Sequence, residues 1–132
     1  SLHDALPISS GVLFRSHARV GAALLTADGK IYTGCNIENA AYTPTNCAER
    51  TAMFKAVSEG NTDFRAIAIV GGPKGKEPKD FCAPCGVCRQ VMAEFCDPET
   101  FRIVLMNGDG EIRDYLLKEL LPLGFTGKAL EK

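Results

Sequence analysis

With 132 residues, 45% of them hydrophobic and 23% charged, the chain is long enough for one domain with a single core and too short for two. Its formal charge of −1 and interspersed Lys and Arg leave no basic stripe, which argues against a nucleic-acid polymer as substrate. No apolar run approaches the roughly 20 residues that cross a bilayer, and no export signal is evident, so the expected compartment is the cytoplasm.

Ser1-Leu2-His3-Asp4-Ala5-Leu6-Pro7-Ile8 reads like the in-frame translation of a sequencing-adapter oligonucleotide. Residues 1–8 are therefore expected to be a non-native leader that replaced part of an amino-terminal helix, with 9–132 forming the domain. The alternative is a genuine, variable terminus, which the same codons recovered from an unamplified template would establish.

Val20 to Thr26 is mostly apolar and runs through Asp28-Gly29 into Ile31 to Cys35. Asp-Gly between two such runs predicts a hairpin, because Gly supplies the positive φ the turn needs. Asn36 to Thr45 reads as a loop. Asn46 followed three residues later by Glu49 resembles a capping box and predicts a helix from about Asn46 to Gly60. Ala66 to Val70 is a buried strand closed by Gly71-Gly72-Pro73, and Lys74 to Lys79 a solvated loop. Pro84 should pre-set φ for a second helix in which Cys88, Val91, Met92 and Phe95 recur at helical spacing. Phe101 to Met106 and Glu111 to Tyr115 are strands flanking the turn Asn107 to Gly110, and Leu116 to Leu121 is a terminal helical turn. The order β-β-α-β-α-β-β-α predicts a three-layer α/β/α domain on a mixed five-stranded sheet, since hairpin partners cannot be parallel.

The cysteines carry the chemistry. Cys82, Cys85 and Cys88 recur every third residue and Cys47 opens the other helix, a spacing that in a reducing compartment favours a metal over disulfides. Cys47, Cys85 and Cys88 at two converging helix amino termini would be stabilised as thiolates by the helix dipoles and could hold one zinc ion with its fourth position open for water. Glu49, two residues past Cys47, could take a proton from that water and pass it to a substrate nitrogen; the plain alternative is helix capping. Three thiolates overcompensate Zn²⁺, and Arg50 is placed to donate hydrogen bonds to the sulfurs, unless it makes a surface ion pair. Cys82 as a fourth ligand would close the site into a structural module for protein binding. Cys35, Cys82 and Cys96 otherwise read as buried small side chains, and His3 and His17 as surface residues.

Cys47-Ala48-Glu49 followed by Pro84-Cys85-x-x-Cys88 matches the zinc-deaminase signature in all-cysteine form. With Gly34-Cys35-Asn36-Ile37-Glu38-Asn39-Ala40-Ala41-Tyr42 and Leu121-Pro122-Leu123-Gly124-Phe125, the chain resembles the small, three-cysteine cytidine deaminases from about Val20 to Leu130. The resemblance implies hydrolytic deamination of cytidine and 2′-deoxycytidine in pyrimidine salvage, one zinc per chain, and a homotetramer with shared active sites. It also implies that Asn36 and Glu38 bind the ribose hydroxyls, that the Ala48 backbone contacts the pyrimidine, that Arg50 tempers the thiolates, and that Phe125 stacks on a base in a neighbouring subunit. Loop capping by Asn36 and Glu38, and core packing of Phe125, are the alternatives. The chain departs from the family pattern at Phe14-Arg15-Ser16 and at Ala18, where an aromatic is usual. A blasticidin-type aminonucleoside deaminase would share the same residues; a free-base deaminase would not need Asn36 and Glu38.

Overall fold

A computed structural model describes residues 18–73 and 80–130. The elements run β1 (Ala18–Thr26), β2 (Ile31–Cys35), α1 (Ala48–Ser58), β3 (Phe64–Pro73), α2 (Gly86–Phe95), β4 (Arg102–Met106), β5 (Ile112–Leu116) and α3 (Leu117–Leu120), with a 3-10 turn at Gly127–Leu130. The five strands form one sheet in the order β2-β1-β3-β4-β5. β3 and β4 are parallel, joined through α2, and the other neighbours are antiparallel. This is the mixed α/β sheet that the element order predicts.

Gly29 closes the β1–β2 loop with φ +85, and Thr26 donates its backbone N–H to the Lys30 carbonyl at 3.0 Å. Asp-Gly thus ends a hairpin loop with glycine in the left-handed region. β3 is longer than expected: Gly71, Gly72 and Pro73 pair with Val20, Arg19 and Ala18 instead of ending the strand, because the long β1 offers backbone partners that far.

Pairing places Tyr32, Leu24, Ile67 and Ile103 side by side, with Ala22, Ile69 and Leu105 in the adjoining row. All belong to the buried core, together with Ala52, Met53 and Met92 of the helices, Phe101 and Leu117. Each fully buried aliphatic of this size contributes about 1.5–3 kcal/mol. Ala23 and Ala68, on the opposite face, are buried as well. The expected amino-terminal helix, the leader, His3, His17 and the Lys74 to Lys79 loop lie outside the described residues. Among the described residues no helix is long and apolar enough to cross a membrane.

Gly34 sets the distance between α1 and the sheet. A Cβ there would lie 2.4 Å from the Ala48 carbonyl oxygen and 2.5 Å from the Ala52 nitrogen, both backbone atoms of the helix. Gly34→Ala must push α1 outward; overpacking of this kind costs about 1–3 kcal/mol. The variant should melt several degrees lower, and an unchanged melting temperature in calorimetry would refute this close contact.

Candidate active site and metal centre

Both helices begin on a cysteine. Cys47 is the N-cap of α1 and Cys85 of α2, each with extended backbone and no side-chain capping hydrogen bond. The expected capping box at Asn46 and Glu49 does not form. The Asn46 backbone is held in a two-way bridge with Ile37, its side-chain amide donates to Thr51 Oγ1 at 3.0 Å, and Glu49 is turned inward, 3% exposed. Pro84 does not open α2 either: the helix starts two residues later, and the fully buried Pro84 gives its carbonyl to Arg89 Nε at 2.8 Å. Arg89 also donates to the Leu120 carbonyl at 2.7 Å, bracing the ligand loop against α3. This brace has no local sequence signature.

The two uncapped amino termini bring Cys47, Cys85 and Cys88 together, with all three sulfurs within 4.8 Å of one another. Cys47 and Cys85 sulfurs lie 3.7 Å apart and those of Cys85 and Cys88 3.6 Å. Tetrahedral zinc with Zn–S of about 2.3 Å requires sulfurs about 3.8 Å apart, so the donor set fits that ion in both chemistry and spacing. Cys82 does not join this group; it is half-buried, as is Cys35, while Cys96 is buried, and all six cysteines are free of disulfides.

The electrostatics are those of a gathered thiolate cluster. A hydrogen bond from Cys88, with others from Arg50 and Cys85, pulls the Cys47 thiol down to about 5 despite its burial. Cys88, the donor, is pushed far up. Arg50 donates through a terminal guanidinium nitrogen to Cys47 Sγ at 3.4 Å; its own burial opposes the charge, but the hydrogen bonds to Cys47 and Cys88 outweigh that and hold it above its ordinary value. A surface ion pair is thus not its arrangement. Burial pushes the Glu49 carboxyl up to about 7, with the neighbouring Cys47 charge adding to the effect, while a hydrogen bond with Cys88 opposes it.

A cavity of about 300 Å³ opens beside the sulfurs, lined by residues that include Asn36, Glu38, Ala48, Glu49 and Cys85. Asn36 is buried, and its Oδ1 accepts the Val20 backbone N–H at 2.9 Å. This fixes the end of β2 to β1 across 16 residues; the Asx turn of this loop belongs instead to Asn39, which accepts from the Ala41 N–H. Ala48 is wholly buried at the first helical position, where backbone N–H groups lack intrahelical partners. Phe125 lies apart from this cavity, 61% exposed, with its carbonyl held by Gln90 Nε2 at 2.7 Å, so it is not a core residue. Val20, Thr45, Asn46, Cys82 and Ala83 also line the cavity and were not legible as lining from sequence. Asn46 carried a signal by adjoining a ligand cysteine, and Cys82 by its spacing as a possible fourth ligand.

Residues 4–104 match the family model described as cytidine and deoxycytidylate deaminase zinc-binding region. A cytidine deaminase of Halalkalibacterium halodurans is 52% identical over 113 residues, covering 86% of this chain and 81% of the relative. One of Sporosarcina psychrophila is 51% identical over 111 residues, covering 84% and 77%. A blasticidin-S deaminase of Bacillus cereus is 36% identical over 110 residues, covering 81% and 76%. The crystal structure of cytidine deaminase from Burkholderia pseudomallei superposes with a TM-score of 0.80 at 43% identity, covering 95% of this chain and 99% of that one. With its three-sulfur site intact, the chain belongs to the zinc-dependent cytidine and deoxycytidylate deaminase family.

Proposed function

We propose that this protein converts cytidine and 2′-deoxycytidine, with water, to uridine and 2′-deoxyuridine plus ammonia, as a cytoplasmic enzyme of pyrimidine salvage. The observation that carries this reading is a buried carboxylate, Glu49, that lines the same nucleoside-sized cavity as Cys47 and Cys85 of a sulfur cluster spaced for one zinc ion. Cys47, Cys85 and Cys88 would hold the ion, which when bound supplies a Lewis acid that acidifies water at its open position. Glu49 moves the protons: it accepts one from the attacking water and delivers it to pyrimidine N3 as the oxygen adds at C4, then takes the second from the new C4 hydroxyl and gives it to the departing amine as the C4–N bond breaks and the C4 carbonyl forms. Transfers of this kind contribute about 10² to 10⁴ in rate. Arg50, by donating to Cys47, removes part of the excess thiolate charge and so preserves the electrophilicity of the centre.

Asn36 and Glu38, which also line the cavity, have the donor and acceptor chemistry that ribose hydroxyls need, and the Ala48 N–H at the first helical position supports a contact to the pyrimidine. No Lys or Arg is among the described residues that line the cavity, which disfavours polyanionic substrates. Exposed Phe125 supports a homotetramer in which this ring completes a neighbour's site by stacking. Phe125→Ala should then lower kcat/KM by about tenfold, since stacking on a base is worth about 1–3 kcal/mol. Sedimentation separates this loss from dissociation: unchanged kinetics in a wild-type monomer would refute the shared-site arrangement.

An ultraviolet assay of cytidine consumption, with zinc measured on the same sample, tests the whole reading. Zinc-loaded protein without turnover would sink it. The likeness to the blasticidin-S deaminase supports a second reading, and comparing cytidine, cytosine and blasticidin S as substrates separates the two.

A further inference from the structure

We propose that Val20, Gly71 and Cys82 form the wall that limits the substituent tolerated at pyrimidine C5, with Cys82 as the specificity-determining side chain. This rests on the deamination reading above. Val20 of β1 and Gly71 of β3 are register partners. A Cβ on Gly71 would meet Val20 Cγ2 at 3.0 Å and the Sγ and Cβ of Cys82 at 3.1 and 3.2 Å. Cys82 thus packs directly on the bare backbone of β3, and Val20 and Cys82 both line the cavity.

The orientation of the base follows from the other lining groups. C4 must face the sulfur cluster, and N3, one neighbour of C4, must face Glu49. C5 is the other neighbour and lies on the edge away from Glu49. That edge carries only C–H, so it needs no polar partner. Asn36 and Glu38 are committed to the ribose, and Cys47 and Cys85 to the metal. With Ala48 assigned to the pyrimidine through its backbone, the small apolar side chains that remain among the described lining residues are Val20, Cys82 and Ala83. Cys82 cannot retreat toward β3, because the space over Gly71 is already filled by its own atoms. Any bulk added at residue 82 must enter the cavity, and any bulk removed enlarges it.

The test is the ratio of kcat/KM for 5-methylcytidine to that for cytidine in zinc-loaded wild type, Cys82→Ala and Cys82→Val. One methyl group in such a pocket discriminates by about 10- to 200-fold. The ratio should rise about tenfold or more in Cys82→Ala and fall by a similar factor in Cys82→Val. A merely structural role would move both substrates together and leave the ratio alone. The second readout is binding: thermal stabilisation by 5-methyluridine relative to uridine should change in the same directions. A ratio in Cys82→Ala within about twofold of wild type overturns the proposal, and that variant decides the matter alone if Cys82→Val does not fold. Wild-type protein inert toward cytidine would refute the deamination reading, while the product-binding comparison would still judge the wall.

Discussion

Glu49→Gln is expected to retain one zinc per chain while kcat for cytidine falls by at least about 10² to 10⁴. The substitution keeps the shape of a side chain that is only 3% exposed and leaves Cys47, Cys85 and Cys88 untouched. It removes only the ability to accept and return a proton. KM should change little, because the substitution leaves Asn36 and Glu38, the residues proposed to bind the ribose, and the three cysteines intact. Stability should change little too, since the wild-type carboxyl is already raised to about 7 by burial and a neutral amide suits that site. Steady-state kinetics with zinc analysis on the same preparation checks the result. Near-normal turnover would show that the protons travel by another route, and loss of zinc would show that Glu49 acts through the metal site's structure.

The features readable from sequence are those encoded locally. Asp28-Gly29 announces its hairpin because one residue must take positive φ, and Gly29 does. The Cys85-x-x-Cys88 spacing announces a shared helix face, and the 3.6 Å between the two sulfurs bears it out. What was illegible depends on partners distant in the chain. Asn46 has the residue type and spacing of a cap, but its bridge to Ile37 holds it where it cannot serve, and burial at the cavity claims Glu49. Pro84 has the φ of a first helical residue, but its carbonyl is claimed by Arg89. Gly34 looks like an ordinary strand glycine and Gly71 like a strand terminator. Only the packed fold reveals that one admits the α1 backbone and the other admits Cys82. Helical and strand periods report which face is apolar, and they carry no information about how closely two elements approach.

Removal of zinc should separate activity from folding. The stripped protein is expected to lose cytidine turnover in proportion to metal lost and to regain it on zinc addition, while keeping its far-ultraviolet dichroism and a cooperative melt. The reason lies in where the core sits. Leu24, Met53, Ile67, Ile69, Phe101 and Ile103 are wholly buried, and of the three ligand cysteines only Cys88 belongs to the buried cluster, with Cys47 packed against it. A closed structural centre, with Cys82 as fourth ligand, predicts the opposite outcome, because small zinc modules fold only with their metal. The ion should still stabilise by mass action, about 4 kcal/mol when free zinc is about a thousandfold above Kd, so the melt should fall on the order of 15 °C. Cys85→Ala should reproduce the stripped state: Cys85 is exposed, so its loss opens no cavity in the core, yet it deprives the ion of one sulfur. Complete unfolding on chelation would favour the closed centre, and full turnover without metal would remove zinc from the chemistry. A stable, inactive and rescuable protein is the outcome that an independent core beneath an open metal site requires.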